Sequence, residues 1–196
     1  MLPITLDLSR IRVILVGEGG AACRRLARLD EAGAAELEVY APRPDPDLAE
    51  KAGARLRRRL PTAAEIARAQ LVFLARLPEP AAASIRRVAA AAGVLVNVED
   101  DRERSDFHSA AVLRRGDLVV AVSTEGRSPG LAALVRQDLE RHFGPEWAAR
   151  LGEIARLRTL WRGAGADPAT VRRRIAEWAT ARGWIAPPPG TAARQP

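Results

Sequence analysis

The sequence predicts an α/β fold: a Rossmann-like, doubly wound parallel sheet, followed by a small strand-and-helix region and a C-terminal helical region. Three observations lead there. Residues 11–16 form a β-branched apolar run interrupted only by Arg12, the composition of a strand buried on both faces. The glycine-rich turn Gly17-Glu18-Gly19-Gly20 follows at once, and the pattern then becomes helical. Strand-like and helix-like segments continue to alternate through the first half of the chain, as β-α-β units require.

The elements can be justified in order. After the turn, residues 21–31 put Ala22, Leu26 and Leu29 on one side and arginines on the other, and Gly33 stands where a helix stops. Residues 37–41 form a second strand, closed by Pro42-Arg43-Pro44. Residues 47–59 read as a short helix running into an edge strand, and 62–69 as a further turn or two of helix. The run 71–75 is a strand, 80–92 a helix and 94–98 another buried strand. Beyond Asp100 the character changes: residues 101–105 are charged and loop-like, 107–113 show no clear pattern, and Arg115-Gly116-Asp117 is a turn. A strand at 118–123 leads into Glu125-Gly126-Arg127-Ser128-Pro129, and three helical stretches follow at 130–143, 145–161 and 168–182. Asp167-Pro168 supplies an N-cap and a proline at the first helical position. Residues 187–196 have the Pro/Gly-rich polar composition of a disordered tail. The expected domains are a sheet domain at 1–112, a strand-helix region at 113–145, a helical region at 146–186 and the tail at 187–196.

Composition narrows the function classes. Apolar residues make up 47% of the 196, enough for a core. No apolar run approaches the roughly 20 residues of a membrane helix. The start, Met1-Leu2-Pro3-Ile4, lacks the basic region of a secretion signal. Cys23 is the single cysteine, which suits a reducing compartment, so the expected location is the cytoplasm. The net charge of +7 invites a nucleic-acid reading, but the arginines are spread along the chain and interleaved with acids. Aromatics are only 4%, too few for a base-stacking platform. A basic surface that attracts a polyanionic small molecule is the better use of that charge. All four tryptophans (Trp147, Trp161, Trp178, Trp184) lie in the C-terminal part, where packing between helices accounts for them better than a binding wall.

Val16-Gly17-Glu18-Gly19-Gly20-Ala21-Ala22 fits the pattern G-x-G-x-x-A. Gly17 permits the tight strand-to-helix turn, Gly19 lets a pyrophosphate approach the backbone, and Ala22 keeps the helix close to the sheet. Its place after a buried strand and before a helix is the context such a dinucleotide motif needs; a tight turn without ligand is the alternative. The cofactor-binding candidates are therefore Gly17, Gly19, Gly20, Ala21 and Ala22, with Pro42 and Arg43 at the end of the second strand. An acid there usually binds the ribose of NAD, but here Ala41-Pro42-Arg43 occupies the place. Arg43 either favours a 2′-phosphate, leaving NADP open, or is a solvated loop residue.

Several segments together resemble the precorrin-2 dehydrogenase/sirohydrochlorin ferrochelatase family, which also forms the N-terminal module of sirohaem synthase. They are Leu2-Pro3-Ile4, the glycine turn, Glu31-Ala32-Gly33-Ala34, Val96-Asn97-Val98-Glu99-Asp100, Ser105-Asp106-Phe107, Arg114-Arg115-Gly116-Asp117-Leu118 and Ala121-Val122-Ser123-Thr124-Glu125-Gly126-Arg127-Ser128-Pro129. The resemblance implies NAD-dependent oxidation of precorrin-2 to sirohydrochlorin, in many members followed by insertion of Fe²⁺ as a substrate. It implies a homodimer in which the region after the Rossmann domain, residues 113–145 here, mediates dimerisation. Asp100 falls on the family's essential aspartate, at the C-terminal end of a strand, where doubly wound sheets meet their ligands. Ser128 matches a serine near the tetrapyrrole pocket, or serves as a helix N-cap. His108, near Asp100 in sequence, either assists proton transfer or iron delivery or is a surface histidine; His142 is read as solvated. No Cys/His cluster has metal-ligand spacing, so no resident metal is expected.

Three segments depart from the family pattern. Leu74-Ala75-Arg76-Leu77 stands where members carry Ala-Ala-Thr-Asp or Ala-Ala-Thr-Asn. Phe107-His108-Ser109-Ala110-Ala111 lacks the proline of Phe-x-x-Pro-Ala, and Glu125 replaces one glycine of Thr-Gly-Gly. A chelatase-only enzyme and a non-catalytic nucleotide- or tetrapyrrole-binding protein are the alternatives.

Overall fold

The computed structural model describes residues 2–186, so the tail expected at 187–196 lies outside the described residues. Five strands form one parallel sheet: β1 (Arg12–Gly17), β2 (Glu36–Tyr40), β3 (Leu56–Arg57), β4 (Leu71–Ala75) and β5 (Leu95–Val98). Their order is β3-β2-β1-β4-β5. β1 is the centre, paired with β2 on one edge and β4 on the other. This is the Rossmann arrangement expected from the alternating pattern, with the direction of travel reversing between β1 and β4.

The period-two alternation of β1 explains why helices cover both faces. Val13 and Leu15 enter one core with Leu26 and Leu29 of α1 (Gly19–Glu31) and Leu48 and Ala52 of α2 (Pro46–Ala52). Ile14 and Val16 enter the other with Ile66 of α3 (Ala63–Arg68) and Ala82, Ile85 and Ala89 of α4 (Glu79–Ala91). The short helices rely on their caps. Asp45 accepts from the Leu48 N–H at the start of α2, and Thr62 with Glu65 forms a capping box on α3.

The chain divides into two compact units. The first runs through Ser109 and includes Glu125–Arg127; the second contains Ala110–Thr124 and the chain from Ser128 onward. The second unit begins with an antiparallel hairpin of β6 (Ala111–Arg115) and β7 (Leu118–Val122). Residues 107–113 gave no pattern in the sequence because only Leu113 of β6 is buried, between Val112 and Arg114, which are exposed. α5 (Pro129–His142) packs on this hairpin, and α6 (Trp147–Gly163) packs with α7 (Pro168–Ala181).

The tryptophans are packing residues. Trp161 and Trp178 meet edge to face at 6.4 Å, Arg150 stacks between Trp147 and Trp184, and Arg182 lies 3.6 Å over Trp178. No helix among the described residues is long and apolar enough to cross a membrane.

Candidate dinucleotide site

The glycine turn sits at the switch point between β1 and β4. Gly17 pairs with Ala75, and a Cβ on Gly17 would stand 2.2 Å from the Ala75 carbonyl oxygen. The neighbouring strand therefore excludes a side chain here. Gly19 carries the positive φ of the turn, +70°, and faces open space, with nothing within 4 Å of an added Cβ. Ala21 and Ala22 are buried, which seats α1 against the sheet. Glu18, the N-cap residue, makes no side-chain cap bond, so no side chain caps the first N–H groups of α1. Such an uncapped helix start at a strand's C-terminal end suits the negative charge of a pyrophosphate.

Beside the turn lies a cavity of about 480 Å³, lined by Glu18, Pro42, Arg43, Leu60, Arg76, Leu77, Pro78 and Ala81. It joins the ends of β1, β2 and β4 and has the size of a small-molecule site. Two of its residues, Pro42 and Arg43, were expected from sequence; Glu18 and Arg76 were not. Arg76 follows β4 with φ +55° and belongs to the segment that departs from the family pattern. The open space at Gly19, the uncapped helix start and this cavity fit the phosphates and adenosine of a dinucleotide.

Asp100 does not line that cavity. It follows β5, and its backbone is left-handed at φ +59° because the chain reverses there. The reversal is fixed by what comes next. Asp101 N–H donates to the Val98 carbonyl, the Ser105 hydroxyl accepts from Val98 N–H at 2.9 Å, and the Asp106 carboxylate accepts from Val96 N–H at 2.8 Å. The Ser105-Asp106 segment thus closes the open edge of β5. Phe107 then stacks edge to face on Phe73 at 5.3 Å.

Behind this loop is a polar network that sequence reading missed. The Arg25 guanidinium donates to the Ser109 hydroxyl at 2.7 Å and to the buried Asn97 side chain at 3.3 Å, and lies over the Phe73 ring. Asn97 in turn donates to the Phe107 carbonyl. Burial, followed by the charge of Arg28, lowers the Arg25 pKa, while the charges of Glu99 and Asp100 oppose that shift. Arg25 looks like one more surface arginine of an amphipathic helix, so only its long-range partners reveal it. His108 is half-buried between Phe107 and Ser109, both held by this network.

Ser128 belongs to the second unit. Its hydroxyl accepts from Leu131 N–H and caps α5, while Thr124 bonds its backbone. His142, read as solvated, is exposed near the end of α5 with its ring against the Asp138 carbonyl. Cys23, Asp45 and Asp47 bring potential metal-ligand atoms within 4.8 Å of one another. Those groups are already engaged: Asp45 caps α2, and Asp47 pairs with Lys51. Burial, with the Asp47 carboxylate beside it, pushes the Cys23 thiol up to about 11.

A family model for NAD(P)-binding domains matches residues 4–111, and one for the central part of sirohaem biosynthesis proteins matches residues 115–142. The first of these spans more than half of the chain, which belongs to that NAD(P)-binding family. It is 35% identical over 182 residues to a sirohaem synthase of Tolumonas auensis, covering 85% of this chain and 39% of that protein. A sirohaem synthase of Chromobacterium violaceum is 39% identical over 165 residues, covering 83% of this chain and 34% of that one. The chain thus spans well under half the length of these curated relatives. Among solved structures, SirC, a precorrin-2 dehydrogenase, superposes with a TM-score of 0.73 at 21% identity, covering 95% of this chain and 93% of that one. That likeness shows the fold.

In the glycine turn, Gly17 and Gly19 are required for different physical reasons, and substitution separates them. Gly17→Ala drives a methyl group into the Ala75 carbonyl and is expected to cost about 1–3 kcal/mol of stability. Gly19→Ala meets no neighbour and is expected to cost only about 1 kcal/mol, from its left-handed backbone. It nevertheless places a methyl group in the open space of the turn, and nicotinamide-dinucleotide binding is expected to fall while the fold persists. Urea denaturation and calorimetric titration of both variants check this ordering.

Proposed function

We propose that this chain oxidises precorrin-2 to sirohydrochlorin with NAD⁺ as electron acceptor. The observation that carries the reading is the placement of Asp100. It stands at the C-terminal edge of the sheet in a left-handed conformation, exposed, and neither hydrogen-bonded nor ion-paired among the described residues. Non-glycine residues held this way cost free energy and cluster at functional sites. A carboxylate there is positioned to take a proton.

NAD⁺, when bound, supplies the two-electron acceptor for a hydride leaving a ring carbon. The oxidation also releases one proton from the tetrapyrrole, and Asp100 receives it. Arg25, Asn97 and Phe107 hold the strand end and the following loop so that this carboxylate keeps its place. His108 of the first unit and Ser128 of the second are each read as a candidate tetrapyrrole contact. The basic surface favours a substrate rich in carboxylates. In the same reading Asp100 accepts, one after the other, the two pyrrole protons displaced when Fe²⁺, a substrate, enters sirohydrochlorin.

The chain acts as a homodimer through residues 113–145. Support comes from the thin core of that region, where Leu113 and Ala132 are the buried hydrophobic residues among those described. Leu131, Leu134 and Val135 of α5 are exposed, as is Val119 of the hairpin, more apolar surface than a surface helix ordinarily leaves open.

Asp100→Asn is the discriminating variant, because asparagine tolerates a left-handed backbone while losing the carboxylate. NADH formation at 340 nm with precorrin-2 is expected to fall at least a hundredfold, with NAD⁺ affinity unchanged. Undiminished turnover contradicts the role of Asp100. A wild-type protein inert with both nicotinamide cofactors contradicts the dehydrogenase and leaves the chelatase-only or carrier reading. For the dimer, Leu134→Asp is expected to halve the mass measured by light scattering without unfolding the first unit.

A further inference from the structure

Rossmann domains ordinarily read the adenosine ribose with a carboxylate at the end of the second strand. Here β2 runs out into Ala41-Pro42-Arg43, and none of these is acidic. The nearest acids are committed elsewhere. Asp45 accepts from the Leu48 N–H at 2.8 Å, and Glu38 takes the Tyr40 hydroxyl and the Arg57 guanidinium.

A carboxylate reaches the same place from another part of the chain. Glu18, between the two motif glycines, has an extended backbone, and its side chain turns away from the helix start toward the end of β2. Its Oε1 accepts from the Arg43 backbone N–H at 2.9 Å. Glu18 is half-buried and is the only carboxylate among the residues lining the cavity, which it shares with Pro42, Arg43 and Arg76.

We infer that Glu18 stands in for the missing β2 carboxylate and selects a dinucleotide with a free ribose 2′-hydroxyl, NAD⁺, over one bearing a 2′-phosphate. The assignment rests on the dinucleotide reading above and adds the residue that sets its specificity. The bond to Arg43 N–H fixes the carboxylate at the strand end through one oxygen, and Oε2 is left to accept from a ribose hydroxyl. A 2′-phosphate would meet this carboxylate at close range, a like-charge contact in a partly enclosed site. Arg43 and Arg76 keep the cavity net positive, as the diphosphate of either dinucleotide requires.

The test is calorimetric titration of NAD⁺ and NADP⁺ into the wild-type protein and Glu18→Gln. Glutamine preserves size and an acceptor for the Arg43 N–H but removes the charge, and a thermal melt confirms that the variant folds. Wild type is expected to bind NAD⁺ at least tenfold more tightly than NADP⁺. In Glu18→Gln that preference should shrink roughly tenfold, mainly because NADP⁺ binds better. A wild-type preference for NADP⁺ overturns the inference and assigns control to Arg43. An NAD⁺/NADP⁺ ratio unchanged by Glu18→Gln also overturns it, while leaving the dinucleotide reading intact. Binding of neither nucleotide to wild type overturns both.

Discussion

The first unit depends on one strand. β1 is buried on both faces and hydrogen-bonded along both edges, and every later element is placed by reference to it. The chain leaves it first toward β2 and β3 and later toward β4 and β5, so the crossovers part company at its C-terminal end. That divergence opens the crevice in which the glycine turn stands. The close approach of Gly17 to the Ala75 carbonyl is the tightest expression of this constraint, since a single methyl group would force the central strands apart.

Among the described residues, the non-glycine positions with positive φ are Arg76, Asp100 and Glu125, at 55°, 59° and 52°. Arg76 ends β4 at the cavity, Asp100 ends β5, and Glu125 lies in the short segment that groups with the first unit. Each costs on the order of 1 kcal/mol relative to an ordinary backbone. At Glu125 the left-handed backbone is one that glycine would adopt without strain. The Gly126 beside it, also left-handed, lies against the Arg102 side chain, so this turn and the loop after Asp100 are packed together.

The parallel sheet was legible because its strands are apolar on both faces and its helices amphipathic, signals carried by neighbouring residues. The edge elements were legible only in outline, as a short helix running into an edge strand and a further turn or two of helix; the structure shows the Asp45 cap and the Thr62/Glu65 capping box that fix them. β6 was not, because one buried leucine among arginines makes no pattern. For the candidate site, the glycine turn, Arg43 and Asp100 could be read from motif and resemblance. Glu18, Arg25 and Arg76 could not. Their significance lies in partners and surroundings far along the chain: the Arg43 N–H for Glu18, Asn97 and Ser109 for Arg25, and the cavity wall for Arg76. A charged residue in an arginine-rich sequence announces none of this locally.

We propose that a nicotinamide dinucleotide binds at the C-terminal edge of this sheet, around β1 and β4. Hydrogen exchange of the full chain with and without saturating NAD⁺ tests it most directly. Slowed exchange is expected at the amides of Gly19, Gly20, Ala21 and Ala22 and at Arg76 and Leu77, with α7 unchanged. Protection confined to the helical C-terminal region, or none at the glycine turn, would contradict it.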